Sequence, residues 1–237
     1  MIWRGLKFDI GNPEVYPPKP ATLLLAETAL KVVKPRNNFL EVGTGSGAVA
    51  ITVAKFVKST KVTASDISEE AIKITKLNIK LNKVKIKTIV GDLFKPFNKN
   101  SFDVIAIHPP AVPYPTHKTW GLTKGMTIAT NGGHDGSKLV VQSISQAVKY
   151  LKPGGKLLLL LPHWSNTKKA YEALFENYSS VSKLSEKKVQ FFPITEGKPT
   201  KELLSHIKIL SKNETIELSY KNKKLYSRVS VIQAIRK

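Results

Sequence analysis

An apolar run, an acid and three glycines at alternate positions are packed into Phe39-Leu40-Glu41-Val42-Gly43-Thr44-Gly45-Ser46-Gly47-Ala48-Val49-Ala50, and no other stretch limits the fold as tightly. The run reads as a buried strand. The glycines let the chain turn sharply and let a ligand approach the backbone, and Ser46 can cap the helix that carries Ala48, Val49 and Ile51. Strand, turn and helix in that order open a doubly wound α/β sheet, whose ligands sit outside the carboxyl ends of the strands. Alone, Gly-x-Gly-x-Gly also suits an ordinary tight strand-to-helix turn.

Three further units narrow the choice. Lys61-Val62-Thr63-Ala64-Ser65-Asp66 is a second short strand ending in an acid, where nucleotide-binding α/β folds place the carboxylate for the two ribose hydroxyls. Asp66 can instead cap the helix that begins near Ser68-Glu69-Glu70. Lys87-Thr88-Ile89-Val90-Gly91-Asp92-Leu93-Phe94 puts another acid after a β-branched run, and Phe102-Asp103-Val104-Ile105-Ala106-Ile107-His108-Pro109-Pro110 ends in a rigid diproline. Four strand ends then face one crevice.

The order Glu41-x-Gly43-x-Gly45-x-Gly47, Asp66, Gly91-Asp92 and a Pro-Pro turn resembles the class I S-adenosylmethionine-dependent methyltransferases over about residues 14–192. The resemblance implies S-adenosylmethionine as cofactor, with Gly43, Thr44, Gly45 and Gly47 against its methionine part. It also implies Asp66 with Ile67 at the ribose, Asp92 with Leu93 at the adenine, and Glu41 beneath the glycine turn, orienting it or bonding the cofactor's amino end through water. Within that superfamily the chain is similar to the HemK/PrmC group, which methylates glutamine in release factors. Val15-Tyr16-Pro17-Pro18-Lys19-Pro20-Ala21-Thr22 matches that group's tyrosine-proline segment, and Thr130-Asn131-Gly132-Gly133-His134-Asp135-Gly136 its Gly-Gly-x-Asp-Gly loop. Asp135 can also serve as a helix N-cap.

One motif departs from the group. His108-Pro109-Pro110-Ala111 stands where the relatives carry Asn-Pro-Pro-Tyr, whose amide and first proline carbonyl accept hydrogen bonds from the target NH2. A neutral imidazole can accept one hydrogen bond or take a proton, but it presents no amide, and alanine offers no stacking face. Tyr114 or Trp120 can supply an aromatic from the loop that follows. The resemblance thus makes His108, Pro109 and Pro110 the catalytic candidates, with Tyr114, Trp120, Gly133 and Asp135 toward the substrate. His108 can equally be a strand-end histidine bonded to backbone. If it acts as a neutral acceptor, methyl transfer is expected to fall below about pH 6.5, the reference value for imidazole.

His117, His134, His163 and His206 are scattered, and no cysteine is present, so no metal site is expected. At 237 residues with 41% apolar content the chain can bury one full core. No charged-plus-apolar leader and no 18-residue apolar run occur, so a soluble cytoplasmic protein is expected. Charge is the other informative property, because 38 basic and 17 acidic residues leave +21. Residues 73–99 hold eight Lys and one Asp, with Lys73, Lys76 and Lys80 along one helical face and Ile72 and Leu77 helping to form another. Residues 183–237 hold thirteen basic and five acidic groups, 13 − 5 = +8. Such density suits a polyanionic partner such as RNA or a ribonucleoprotein, or is a solvated surface.

The expected fold is an α/β, Rossmann-like seven-stranded sheet, mostly parallel with an antiparallel last strand and helices on both faces, in a single domain over 1–237. Residues 1–35 give a lead-in segment and a helix from about Ala21 to Val33. A crossover helix is expected over Ser137–Leu151, stopped by Pro153-Gly154-Gly155. A strand follows over Lys156–Leu161, then a helix over Thr167–Asn177 with Leu174 and Phe175 inward, and a strand edge at Val189–Phe192. Residues 193–228 read as a basic insertion before the final strand, with Ile207–Leu210 and Thr215–Tyr220 alternating like a hairpin and a turn at Lys221–Lys224. The insertion can be a partner-binding surface or an extension of the sheet edge. The function expected is N-methylation of a translation-related macromolecule, on a protein side chain such as glutamine. RNA base methylation and a non-catalytic cofactor-binding scaffold are the alternatives.

Overall fold

A computed structural model of the chain describes residues 1–114, 122–191, 201–222 and 224–237. A hairpin of β1 (Ile2–Trp3) and β2 (Leu6–Lys7) precedes α1 (Pro20–Val32). The glycine turn joins β3 (Asn38–Val42) to α2 (Ala48–Phe56), and β4 (Lys61–Asp66) leads into α3 (Glu69–Asn82). After β5 (Lys87–Val90) and β6 (Phe102–Ile107) come α4 (Lys124–Thr130), α5 (Lys138–Ala147) and β7 (Leu151–Pro162). The chain continues through α6 (Thr167–Asn177), β8 (Ser180–Gln190), α7 (Lys201–Lys212), β9 (Ser219–Lys221) and β10 (Lys224–Ile235).

The main sheet runs β5-β4-β3-β6-β7-β10-β8, with the short β9 added on β10. Pairing is parallel from β5 through β7, and β10 is antiparallel to both neighbours. This is the expected methyltransferase architecture. Both faces are covered, because Phe39, Leu158 and Leu160 enter one core with α1 and α2, while Leu40, Leu157 and Leu159 enter the other with α5 and α6. That alternation explains why β7 reads as an unbroken leucine run, as strands buried on two faces do.

Several elements differ from the sequence-based expectation. The alternating Ile207–Leu210 belongs to a helix, α7, since Leu203, Ile207 and Leu210 recur at helical spacing and are all buried; of the expected second strand only Ser219 and Tyr220 pair, joined by Lys221 from the stretch read as a turn. The last strand starts at Lys224, inside the stretch read as insertion. Val189 lies at the end of an eleven-residue strand that is mostly exposed, an edge strand whose lysines hide the apolar alternation; Phe192 lies outside the described residues. α5 ends at Ala147, and Pro153, Gly154 and Gly155 fall within β7, beside the irregular register between Phe102 and Val104. Leu174 is buried, but Phe175 is 65% exposed and stacks on Tyr171 instead. Leu77 likewise faces outward, and α3 buries Ile72, Ile74, Thr75 and Asn78.

Two asparagines of α3 tie down the amino-terminal segment. Asn82 exchanges hydrogen bonds with the backbone N–H and carbonyl of Lys7 at 2.9 and 2.7 Å, and Asn78 does the same with Asp9 at 2.7 and 3.2 Å. Each carboxamide mimics one rung of a strand, so these backbone groups of the segment are satisfied without joining the main sheet. Among the described residues no helix is long and apolar enough to cross a membrane.

Candidate active site

The carboxyl ends of β3, β4, β5 and β6 converge on a cavity of about 240 Å³, closed from above by Glu14, Val15, Tyr16 and Pro18. The glycine turn forms its floor. Gly43 and Thr44 both donate to the Ser65 carbonyl at 2.9 Å, Thr75 Oγ1 donates to the Gly45 carbonyl, and Asn78 Nδ2 donates to that of Ser46. Gly47 takes a left-handed conformation, φ 84°, as the N-cap of α2, and a Cβ there would press on Ile51 and Thr75 at 3.1 Å. Ser46 therefore does not cap the helix. Glu41 does that work: its Oε2 accepts the Ala50 N–H at 2.8 Å and the Thr44 hydroxyl at 2.7 Å, placing an acid at the positive end of α2.

Glu41 is 4% exposed. Burial pushes its carboxyl up to about 8, with the nearby Asp66 adding to the rise and the two hydrogen bonds opposing it. Asp66 is also raised by burial, although its oxygens accept the backbone N–H groups of Gly45 at 2.9 Å and Ser68 at 3.0 Å. The helix cap itself is Ser68, which accepts from Ala71. Asp66 thus braces the glycine turn and keeps lone pairs toward the cavity, beside Ile67. Asp92 lines the next wall with Leu93 and forms an exposed ion pair with Lys95 at 2.7 Å.

At the Pro-Pro turn, burial pushes the His108 imidazole down to about 4. Its ring meets Tyr16 edge-on at 6.4 Å and makes no hydrogen bond among the described residues, so the backbone-bonded alternative is not realised. His108, Pro109 and Pro110 all line the cavity, and among the described residues the carbonyls of His108 and Pro109 accept no hydrogen bond. Trp164 closes the far side, 7% exposed, and its Nε1–H is buried with no acceptor among the described residues. Sequence reasoning missed Glu14, Ile128 and Trp164, none of which belongs to a recognisable motif.

Other candidates stand apart. Tyr114 is buried and its hydroxyl bonds Thr130 at 2.8 Å, outside the cavity lining. Gly133 accepts from the Tyr114 N–H, and Asp135 bonds Ser137 through one oxygen and Asn166 and Lys169 through the other. Against burial, which raises it, the hydrogen bonds from Lys169, Ser137 and Asn166 hold the Asp135 carboxyl well below the usual range, and those from Lys169 and Asn166 tie the loop to the start of α6. Asp135 precedes the helix cap, which is Ser137. Trp120 lies outside the described residues. The histidines are less scattered than expected: His134 and His206 meet with ring centroids 4.5 Å apart, and His163 bonds the fully buried Ser230 and approaches Glu217 at 3.4 Å. Among the described residues no group of three metal-binding side chains forms.

The residues present fit S-adenosylmethionine. Asp66 offers acceptors for a ribose diol, Ile67 and Leu93 give apolar walls for a purine, and Glu41 keeps its Oε1, unbonded among the described residues, beside the turn for a cationic amino acid end. Residues 19–120 match the methyltransferase small domain family. The chain is 34% identical over 156 residues to a protein of Methanocaldococcus jannaschii named as a protein N5-glutamine methyltransferase, covering 66% of this chain and 76% of that one. It is 35% identical to the release factor glutamine methyltransferase of Clostridium acetobutylicum, covering 64% of this chain but only 56% of that enzyme. The fold superposes on a chain of the E. cuniculi Mtq2–Trm112 complex, responsible for methylation of the termination factor eRF1, with a TM-score of 0.63 at 17% identity, covering 94% of this chain and 99% of that one. It also superposes on YcgJ of Bacillus subtilis with a TM-score of 0.62 at 14% identity, covering 92% and 98%. With the glycine turn, Asp66 and the Pro-Pro turn on one cavity, the chain belongs to the S-adenosylmethionine-dependent methyltransferases of the HemK/PrmC group.

Proposed function

We propose that the protein methylates a side-chain amide nitrogen, that of a glutamine in a translation termination factor, in the cytoplasm. The observation that carries this reading is a pair of polar groups, on residues that line the same cavity, with no partner among the described residues. An amide needs an acceptor for its NH2 and a donor for its C=O, and Pro109 O and Trp164 Nε1–H are the complementary pair. Bound S-adenosylmethionine supplies a methyl group already activated by its positive sulfur. The protein's contribution would be mainly positioning, with the lining of the Pro-Pro turn orienting the acceptor nitrogen toward that methyl. Neutral His108 accepts a hydrogen bond from the nitrogen and receives the proton released as the new N–C bond forms. Tyr16, Ile128 and Trp164 exclude water from the exchange.

The test is transfer of label from methyl-labelled cofactor to termination factors, ribosomes and tRNA of the source cell, followed by separate protease and ribonuclease digestion. Label released by protease and recovered as N5-methylglutamine supports the reading. Label released by ribonuclease establishes RNA base methylation in its place, and absence of transfer with retained cofactor binding establishes a scaffold.

A further inference from the structure

A second cavity, of about 670 Å³, lies at the opposite end of the sheet, where β3, β4, β5 and β6 begin. We propose that it is a docking site for single-stranded RNA. Lys61, Lys85 and Lys87 line it, all exposed, and no Asp or Glu does. None of the three ammonium groups has an ion pair or hydrogen bond among the described residues. The α3 face singled out by the lysine spacing is different, because Lys73 is bonded to Glu70 at 2.6 Å. Unneutralised cations around a concavity attract phosphates and release counterions when these bind.

The rest of the lining suits a nucleotide rather than a bare anion. Phe97, half-buried and held edge to face against the buried Phe102 with centroids 5.4 Å apart, gives an apolar wall on which a base can lie. Thr60 Oγ1 is buried with no hydrogen-bond partner, a deficit that a polar ligand atom removes. The volume lies within the range of small-ligand sites. A polymer is favoured over a free nucleotide because Lys83 and Lys99, exposed and within two residues of the lining positions Lys85 and Asn98, add cations for the flanking phosphates. A strand of six residues separates the two cavities, roughly 20 Å at the usual rise, so RNA held here leaves the methyl-transfer cavity open. The inference does not depend on the identity of the methyl acceptor.

The test is fluorescence anisotropy of a labelled oligouridine with the whole protein. The variant Lys61→Gln/Lys85→Gln/Lys87→Gln is compared with Lys208→Gln/Lys212→Gln/Lys221→Gln, which removes the same charge elsewhere. The cavity variant should bind at least about tenfold more weakly, with a salt slope reduced by about 2 for three lost phosphate contacts, and the second variant should change less than threefold. Thr60→Val and the single change Lys85→Gln should each weaken binding about threefold, and they carry the test if the triple variant fails to retain cofactor binding by calorimetry. Equal losses in the two triple variants would reduce the effect to overall charge and overturn the proposal. So would displacement of the probe by uridine monophosphate at the concentration at which unlabelled oligouridine displaces it.

Discussion

Glu41 should make cofactor binding depend on pH. With its carboxyl pushed up to about 8 in the free protein, about nine molecules in ten carry the proton at pH 7. A cofactor with a positive sulfur and a positive amino end favours the carboxylate, so binding expels that proton. If the carboxylate is required, affinity is proportional to its fraction, which rises nearly tenfold per pH unit below 8. Between pH 5.5 and 7.5 the gain is about 70-fold, or about 2.5 kcal/mol. The upper limit keeps clear of the cofactor's own amino group, which titrates near 8. Isothermal titration in two buffers of different ionisation enthalpy measures both the affinity and the released proton. Glu41→Gln retains an acceptor for Thr44 and Ala50 and removes the titration, so its affinity should be flat with pH. Folding stability should show the opposite trend. Between pH 4.5 and 8 the folded, cofactor-free protein binds more protons at Glu41 than the unfolded chain, so this contribution is lost as pH rises through that window. Wild-type affinity that is flat from pH 5.5 to 7.5, or a slope that survives in Glu41→Gln, would refute the reasoning.

Asp66→Ala should weaken cofactor binding by about 1.5–3 kcal/mol, since charge-assisted hydrogen bonds and the brace on Gly45 are lost together; calorimetry giving wild-type affinity contradicts this. At saturating cofactor, where the Glu41 dependence of binding drops out, the acid limb of methyl transfer should lie near pH 4 and not near 6.5, because burial holds His108 neutral well below its usual range, and His108→Asn should remove that limb in a pH-rate profile. His108→Ala active at the wild-type rate across pH 4 to 8 would make the imidazole a wall only. Gly136→Ala should destabilise the fold by about 2–4 kcal/mol in urea titration, since its Cβ would lie 2.4 Å from the Ala111 carbonyl at a φ of 77°.

The four strand ends that build the cavity were legible because each couples an apolar run to a distinctive residue: Glu41, Asp66, Asp92, then His108 and the prolines. Strand signals are strong where both faces are buried, and α6 was read to its bounds, Thr167–Asn177, although of its two expected inward residues only Leu174 is buried. Legibility fell where the chain meets water. β8 presents lysines and serines along an exposed edge, so its period-two pattern carries no contrast, and the four residues Ile207–Leu210 alternate by chance within a helix whose buried stripe begins at Leu203. The helix cap was misassigned to Ser46 because the side chain that satisfies α2 comes from Glu41, nine residues ahead of its bonding partner and on a different element. Trp164 was invisible for a similar reason: its place on the cavity depends on where β7 ends and not on its neighbours in sequence.

The position of β10 governs the order in which this molecule can assemble. Among the described residues β8 pairs only with β10, a strand made some thirty residues later, and β7 presents an unpaired flank until the same moment. The four parallel strands of the cofactor cavity need neither, so they can collapse while β8 remains a loose basic ribbon. Insertion of β10 between them then zips two edges at once, a late step of long loop closure of the kind that slows folding. Until it occurs, the leucines of β7 lie along an open edge, where intermolecular strand pairing competes with insertion. Polar or proline substitutions within Val229–Ile235 should therefore appear as poor yield and aggregation during synthesis, even where the cofactor cavity itself is untouched.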